Sequence, residues 1–203
     1  MNVPPIAGGS AHIGVLALQG AFAAHVQALA DIGVAAVEVR SGAQLADVDA
    51  LVMPGGESTT MSKLLVTFGL FDPLAARLAD GMPVFGTCAG MILLAETVLD
   101  GRPDQRNFAA LPIEVRRNGY GRQIDSFEAD LAIAELPGGD FHAMFIRAPV
   151  VTAVSDDILV LATAAGHPVL CRYQNVLVSS FHPELTSDRR IHHYFVSSIV
   201  QGS

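Results

Sequence analysis

The sequence predicts an α/β fold of three layers, a mostly parallel sheet flanked by helices and extended by antiparallel strands. Three observations predict it. Short apolar runs alternate with helical patterns through the first half of the chain, the pattern of parallel βαβ units. Two glycine turns, Pro54-Gly55-Gly56 and Gly86-Thr87-Cys88-Ala89-Gly90, each follow an apolar run and open a helical one. From Leu111 onward, closely spaced strand-like runs replace the alternation, as antiparallel pairing requires.

Met1 to Ala11 is rich in Pro, Gly and Ser and reads as a flexible tail, residues 1–11, leaving 12–203 as a single domain. His12–Leu18 is an apolar run suited to a strand buried on both faces. In Ala21–Ile32 the residues Phe22, Val26 and Leu29 recur at helical spacing, and Gly33 supplies a stop. Val34–Val39 and Ala50–Met53 follow as strands, Glu57–Leu65 and Phe71–Ala79 as helices, Met82–Phe85 as a fourth strand and Met91–Leu99 as an apolar helix. The second half offers strands at Leu111–Arg116, Ser126–Ala132, Ala143–Ile146, Ile158–Thr163, Pro168–Tyr173 and Val176–Phe181. Asp188–Val200 closes the chain as a helix with Ile191, Tyr194, Phe195 and Ile199 on one face.

Composition narrows the function. Of 203 residues, 51% are hydrophobic and 16% charged, enough apolar matter for a core and too much for global disorder. No apolar run approaches the ~18–20 residues that span a bilayer, and the N-terminus lacks the basic and apolar regions of a secretory signal. The net charge is −8 and Lys63 is the only lysine, so neither nucleic acid nor an anionic membrane is an expected partner. Two cysteines, Cys88 and Cys171, make no disulfide framework and no structural zinc site. A cytoplasmic protein without metal or cofactor is the expectation.

The strongest chemical signal is the Gly86–Gly90 turn. It matches the G-x-nucleophile-x-G elbow with Cys88 at the nucleophile position. A strained strand-to-helix turn leaves no room for bulky neighbours, and it sets the thiol at a helix N-terminus, where free N–H groups favour negative charge. The Ala89 N–H is a candidate oxyanion donor. The second signal is Phe181-His182-Pro183-Glu184 at a strand end. Extended backbone sets residues i and i+2 on one side, so Glu184 reaches one ring nitrogen of His182 and leaves the other for a nucleophile. Alone, either motif also suits a structural residue. Together they fall at the carboxyl ends of strands, where active sites of open α/β sheets collect. The third signal is Pro54-Gly55-Gly56-Glu57-Ser58, whose Gly56 N–H is a second candidate oxyanion donor, although an ordinary βα turn looks the same. Arg117, Arg122 and Arg147 stand in strand-like stretches poor in charge and suit a carboxylate clamp. Cys171 reads as core. His192 and His193 read as solvated surface, and His12, His25, His142 and His167 show no local partner pattern.

The Pro-Gly-Gly-Glu-Ser turn, the Gly-Thr-Cys-Ala-Gly elbow and the late His-Pro-Glu resemble those of class I, triad-type glutamine amidotransferases. Among these the chain is similar to the glutaminase subunits of pyridoxal 5′-phosphate synthases, through Ile13–Gly20, Pro54–Met61, Arg117-Asn118 with Gly121-Arg122-Gln123, Asp125–Glu128, Phe145–Pro149 and Ser180–Leu185. The resemblance implies a flavodoxin-like core and hydrolysis of L-glutamine to L-glutamate and ammonia through a glutamyl thioester. It implies a triad of Cys88, His182 and Glu184, with glutamine contacts at Gly56, Glu57, Ser58, Arg117, Ile146 and Arg147. It implies an oxyanion hole of backbone N–H groups at Gly56 and Ala89. It also implies a partner, a (β/α)₈-barrel synthase subunit that receives the ammonia. A non-catalytic scaffold would have lost a triad member, and a thiol peptidase or γ-glutamyl hydrolase would not carry PGGESTTM and FIRAP.

Overall fold

The computed structural model describes residues 11–117 and 126–202. Most of the tail and the candidate residues Asn118, Gly121, Arg122, Gln123 and Asp125 lie outside them. The first half runs β1 (Ile13–Leu16), α1 (Phe22–Ala30), β2 (Ala36–Val39), α2 (Gly42–Ala46), β3 (Ala50–Met53), α3 (Ser58–Thr67), α4 (Phe71–Ala79), β4 (Val84–Thr87) and α5 (Ala89–Leu94). Strands dominate the second half: β5 (Ala95–Val98), β6 (Leu111–Arg116), β7 (Ser126–Leu131), β8 (Phe141–Ile146), β9 (Val150–Val154), β10 (Leu159–Ala164), β11 (His167–Tyr173) and β12 (Val176–Ser179). A 3₁₀ turn at Pro183–Leu185, helix α6 (Arg190–Tyr194) and a π-helical segment at Phe195–Val200 end the chain.

A seven-stranded sheet of order β10-β11-β12-β4-β3-β1-β2 forms the middle layer. Its β12-β4-β3-β1-β2 run is parallel, and β10 and β11 extend it antiparallel. The parallel strands are short and apolar because both faces are covered. The pleat divides them: Leu51 and Met53 of β3 enter one cluster with Met61, Leu65 and Leu74 of α3 and α4. Ala50 and Val52 enter the other, with Leu29 of α1, Ile191 of α6 and Phe195. Each fully buried Leu, Phe or Met contributes about 1.5–3 kcal/mol. Smaller sheets β5-β6-β9 and β7-β8 flank this core. The β7–β8 hairpin is locked to it by Phe141 and Phe145, and the His182 N–H donates to the Met144 carbonyl at 2.9 Å.

Four expectations need correction. The helix expected over Met91–Leu99 ends at Leu94, and Ala95–Val98 is a strand parallel to β6. The Asn107 side-chain amide donates to the carbonyls of Ala95 and Glu96 at 2.7 and 3.0 Å, taking acceptors that a continued helix would need. Helix α2 was not expected, although Ser41 caps it: the Ser41 hydroxyl accepts from the Gln44 N–H at 3.4 Å, and Gln44 Oε1 accepts from the Arg40 N–H just before the cap at 2.9 Å. Strand β9 was not expected either; it pairs antiparallel with β6. The C-terminal helix is shorter than its pattern, passing from α-helix to π-helix at Phe195.

Candidate active site

The site lies where β4 and β12 end side by side. The two strands pair in parallel, with Ser179 opposite Thr87, so Cys88 and the His182 turn leave the sheet as neighbours. Cys88 has φ +48° and ψ −101°, a left-handed conformation strained for a residue with a side chain. Its N–H donates to the Ser179 carbonyl at 2.8 Å, which ties the elbow to β12. Both flanking glycines are sterically required. A methyl group on Gly90 would land on the Met53 carbonyl, and one on Gly86 would sit 2.8 Å from the Gly90 backbone. The first intrahelical bond of α5 runs from the Ile92 N–H to the Cys88 carbonyl at 3.1 Å, leaving the Ala89 N–H at the start of the helix beside the thiol.

His182 and Glu184 meet at 2.7 Å between Nδ1 and Oε1. The route differs from the extended one expected, because Pro183 opens a 3₁₀ turn and Glu184 lies within it. Proline at the first position suits such a turn, and the turn still brings the carboxylate under the ring. Nδ1 is thus occupied, which leaves Nε2 as the ring nitrogen available to the Cys88 sulfur. All three side chains belong to buried residues. Burial works against a charged imidazole, yet the bonds to Cys88 and Glu184 outweigh it and hold the His182 pKa above the ordinary histidine value. Burial likewise works against the Glu184 carboxylate, and the hydrogen bond to His182 with the nearby imidazoles reverses that, leaving its pKa lowered.

A cleft of about 380 Å³ opens over these groups, lined by Gln19, Gly55, Gly56, Glu57, Ser58 and Ile92 beside Cys88 and His182, with Arg117, Ile146 and Arg147 across it. The volume suits a small metabolite. Gly55 is the tight point, since a methyl group there would stand 2.5 Å from His182 Cε1. Glu57 caps α3, accepting from the Thr59 and Thr60 N–H groups at 3.0 and 2.7 Å, and Arg117 donates to its Oε1 at 2.8 Å. Partial burial opposes its charge, but the bonds from Thr60 and Thr59 prevail and hold its pKa at about 2. Ser58 donates to Gln105 Oε1 at 3.2 Å. Arg117 and Arg147 stand just past β6 and β8, and Arg147 has a left-handed φ of +44°. Every expected site residue within the described range therefore borders one cleft, except Ala89 and Glu184, which back it.

Sequence reasoning missed several groups. Gln19 lines the cleft, and its Oε1 accepts from the Glu57 N–H at 3.1 Å. His192, expected at the surface, is completely buried, and so is His25. His25 Nδ1 lies 3.0 Å from His192 Nε2. The signal was available, because His25 falls with Phe22, Val26 and Leu29, and His192 with Phe195, Val196 and Ile199, on apolar helical stripes. Phe22 is half-buried, with the Arg40 guanidinium 5.4 Å from its ring centre. Cys171 lies in the core as expected, its thiol pushed up to about 12 by burial. Among the described residues no three His, Cys, Asp or Glu side chains converge as metal ligands. No helix among them is long and apolar enough to cross a membrane.

Known proteins resemble this chain. The model of the SNO glutamine amidotransferase family matches residues 15–201. The pyridoxal 5′-phosphate synthase subunit PdxT of Mycobacteroides abscessus is 55% identical over 190 residues, covering 94% of this chain and 98% of that protein. The protein of the same name from Salinispora arenicola is 55% identical over 192 residues, covering 92% and 96%. A crystal structure of a glutamine amidotransferase superposes with a TM-score of 0.86 at 46% identity, covering 94% of this chain and 99% of its own. Another glutamine amidotransferase, from Thermotoga maritima, shares the fold at a TM-score of 0.58 and 14% identity, covering 94% and 86%. With the family model spanning nearly the whole chain and relatives identical at more than half of their aligned positions, this chain belongs to the SNO glutamine amidotransferase family.

Proposed function

We propose that the protein hydrolyses L-glutamine to L-glutamate and ammonia and delivers the ammonia to a pyridoxal 5′-phosphate synthase. The observation that carries the reading is Cys88 and His182 together lining one cleft, with His182 held from behind by its hydrogen bond to Glu184. The zwitterionic end of glutamine finds an ion pair of matching polarity, Glu57 for the α-ammonium and Arg117 for the α-carboxylate, aided by Arg147. Gly56, Ser58 and Ile146 complete the contacts.

With His182 holding the shared proton on Nε2, the Cys88 sulfur attacks the amide carbon. The tetrahedral oxyanion is held by the N–H groups at Gly56 and Ala89. His182 returns the proton to the leaving nitrogen, the carbon–nitrogen bond breaks and ammonia departs. Water, deprotonated by His182, then cleaves the thioester to glutamate and restores the thiol. Glu184 fixes the ring and stabilises the imidazolium formed at each stage. Residues 12–203 act as one catalytic unit in the cytoplasm, needing no metal or cofactor. The partner is a (β/α)₈-barrel synthase subunit. The test is to mix the purified chain with the cognate synthase subunit and glutamine. Glutamate release that rises on mixing, with pyridoxal 5′-phosphate formed from glutamine nitrogen, is the expected result. No release at any ratio of the two would defeat the reading.

A further inference from the structure

Behind the triad lies a feature the reaction above does not use. Glu184 spends Oε1 on His182, and its second oxygen, Oε2, is buried without a hydrogen bond. A carboxylate oxygen left bare in the interior is costly. The cationic or donor group that faces it is His25 Nε2, at 3.5 Å, an atom that also lies 3.3 Å from Thr87 Oγ1. The His25 Nδ1 in turn faces His192 Nε2 at 3.0 Å, and His192 Nδ1 is buried with no partner. Both imidazoles are wholly enclosed, and Phe85 packs edge-on to each.

From this geometry we infer that His25 is a positioning residue, donating Nε2–H toward Glu184 Oε2 and drawing its tautomer from His192. The protons can be counted. A carboxylate oxygen only accepts, so the hydrogen facing it sits on His25 Nε2. His25 Nδ1 is then a bare acceptor, and His192 must donate from Nε2. That leaves His192 Nδ1 as a lone pair, the less costly kind of orphan in a dry interior, and it is the atom found without a partner. The reverse assignment would aim a lone pair at the carboxylate and bury an unpaired N–H. The charged groups facing His25 are Glu184 and His182 beside the 3₁₀ turn, with Arg189 and the neutral His192 from the α6 segment. Burial keeps His25 uncharged against the opposing pull of Glu184, with its pKa at about 3. A neutral donor steadies the carboxylate without competing with His182 for it.

The inference rests on the proposed glutaminase reaction, but its first test does not. Nitrogen-15 NMR of the full chain between pH 5.5 and 8 should show both buried imidazoles neutral with the proton on Nε2. A proton on His25 Nδ1, or a charged His25, would overturn the assignment. The second test uses the chain with its synthase subunit. His25→Leu should lower kcat about 10- to 100-fold with KM for glutamine unchanged, and His25→Gln, which keeps a donor, should restore part of the loss. Unchanged kcat in His25→Leu, or equal loss in both variants, would overturn a positioning role. Should the leucine variant not fold, the glutamine variant and the tautomers decide. Wild-type protein that releases no glutamate would defeat the proposed reaction, while the tautomers would still answer for His25.

Discussion

The two walls of the cleft are built differently. On one side Cys88, His182 and Glu184 extend from adjacent central strands, and their exposures are 7%, 8% and 4%. On the other, Arg117 and Arg147 follow strands of the small outer sheets, and the Glu57 side chain that Arg117 grips is 47% exposed. Chemistry that depends on sub-ångström alignment sits where packing fixes every neighbour. On the proposed reading, recognition of a charged amino acid sits where an ion pair can open to admit it. The contrast teaches that damage to the first wall should appear in turnover, and damage to the second in substrate affinity.

Cys88→Ala breaks the comparison most severely. It removes the nucleophile, and glutamate release should fall at least ~10⁴-fold while circular dichroism stays that of the wild type. Residual release near wild-type levels would refute the assignment of the reacting wall. Gly55→Ala sharpens the point without replacing a reacting group. Its new methyl presses on the His182 ring, so kcat should drop about 100-fold while KM, measured in the same assay, moves little. Across the cleft, Arg117→Ala should raise KM about 10- to 100-fold through loss of a charge-assisted bond, with kcat nearly preserved. A fall confined to kcat would mean the two walls are not separable. The smallest effect concerns the two thiols. Cys171 is pushed up to about 12 by burial, so brief alkylation at pH 8 should add one label, on Cys88 by mass spectrometry, and Cys171→Ala should leave glutaminase activity intact.

The buried imidazoles add a pH test of the rigid side. His25 and His192 are depressed to about 3, chiefly by burial, against an ordinary value near 6.5. Between these values the unfolded chain binds more protons than the folded one, so stability is complete above about pH 6.5 and drains away toward pH 3. His182 has the opposite sign, because its folded pKa is raised. Its contribution is complete below about 6.5 and is lost in alkaline solution. Melting temperature should therefore fall on both sides of a neutral plateau. The acid limb should flatten in His192→Leu if that variant retains the wild-type melting temperature at pH 7.

Much of the rigid side was readable in the sequence, because its requirements are local. An elbow needs small residues at fixed offsets, and Gly86 and Gly90 announce it around Cys88. His182 and Glu184 are two residues apart, so their pairing needed no knowledge of the fold, although the turn type was misjudged. The strand at Ala95–Val98 was unreadable for a physical reason. Ala-Glu-Thr-Val follows the apolar run of α5 without a break, so helix and strand fit it alike, and Asn107 bonds the carbonyls of Ala95 and Glu96 in the strand. The His25–His192 contact joins residues 167 positions apart, and no local pattern encodes such a pairing. The ion pair between Glu57 and Arg117, 60 positions apart, depends in the same way on how the outer sheets are set against the core.

One feature of the sheet bears on the history of the chain. Because β12 hydrogen-bonds directly to β4, the two motifs stand one ladder step apart, about 4.8 Å, even though seven strands separate them in sequence order. Their spacing is inherited from the ladder and owes nothing to the length of the connection. Insertions at an exposed bend between them, such as Asp156-Asp157, can then accumulate in a lineage without parting nucleophile from base. The exposed turns of that intervening stretch, nearly half of the chain, can change in length while Arg117, Ile146 and Arg147 stay at the cleft and the reaction at its root stays the same.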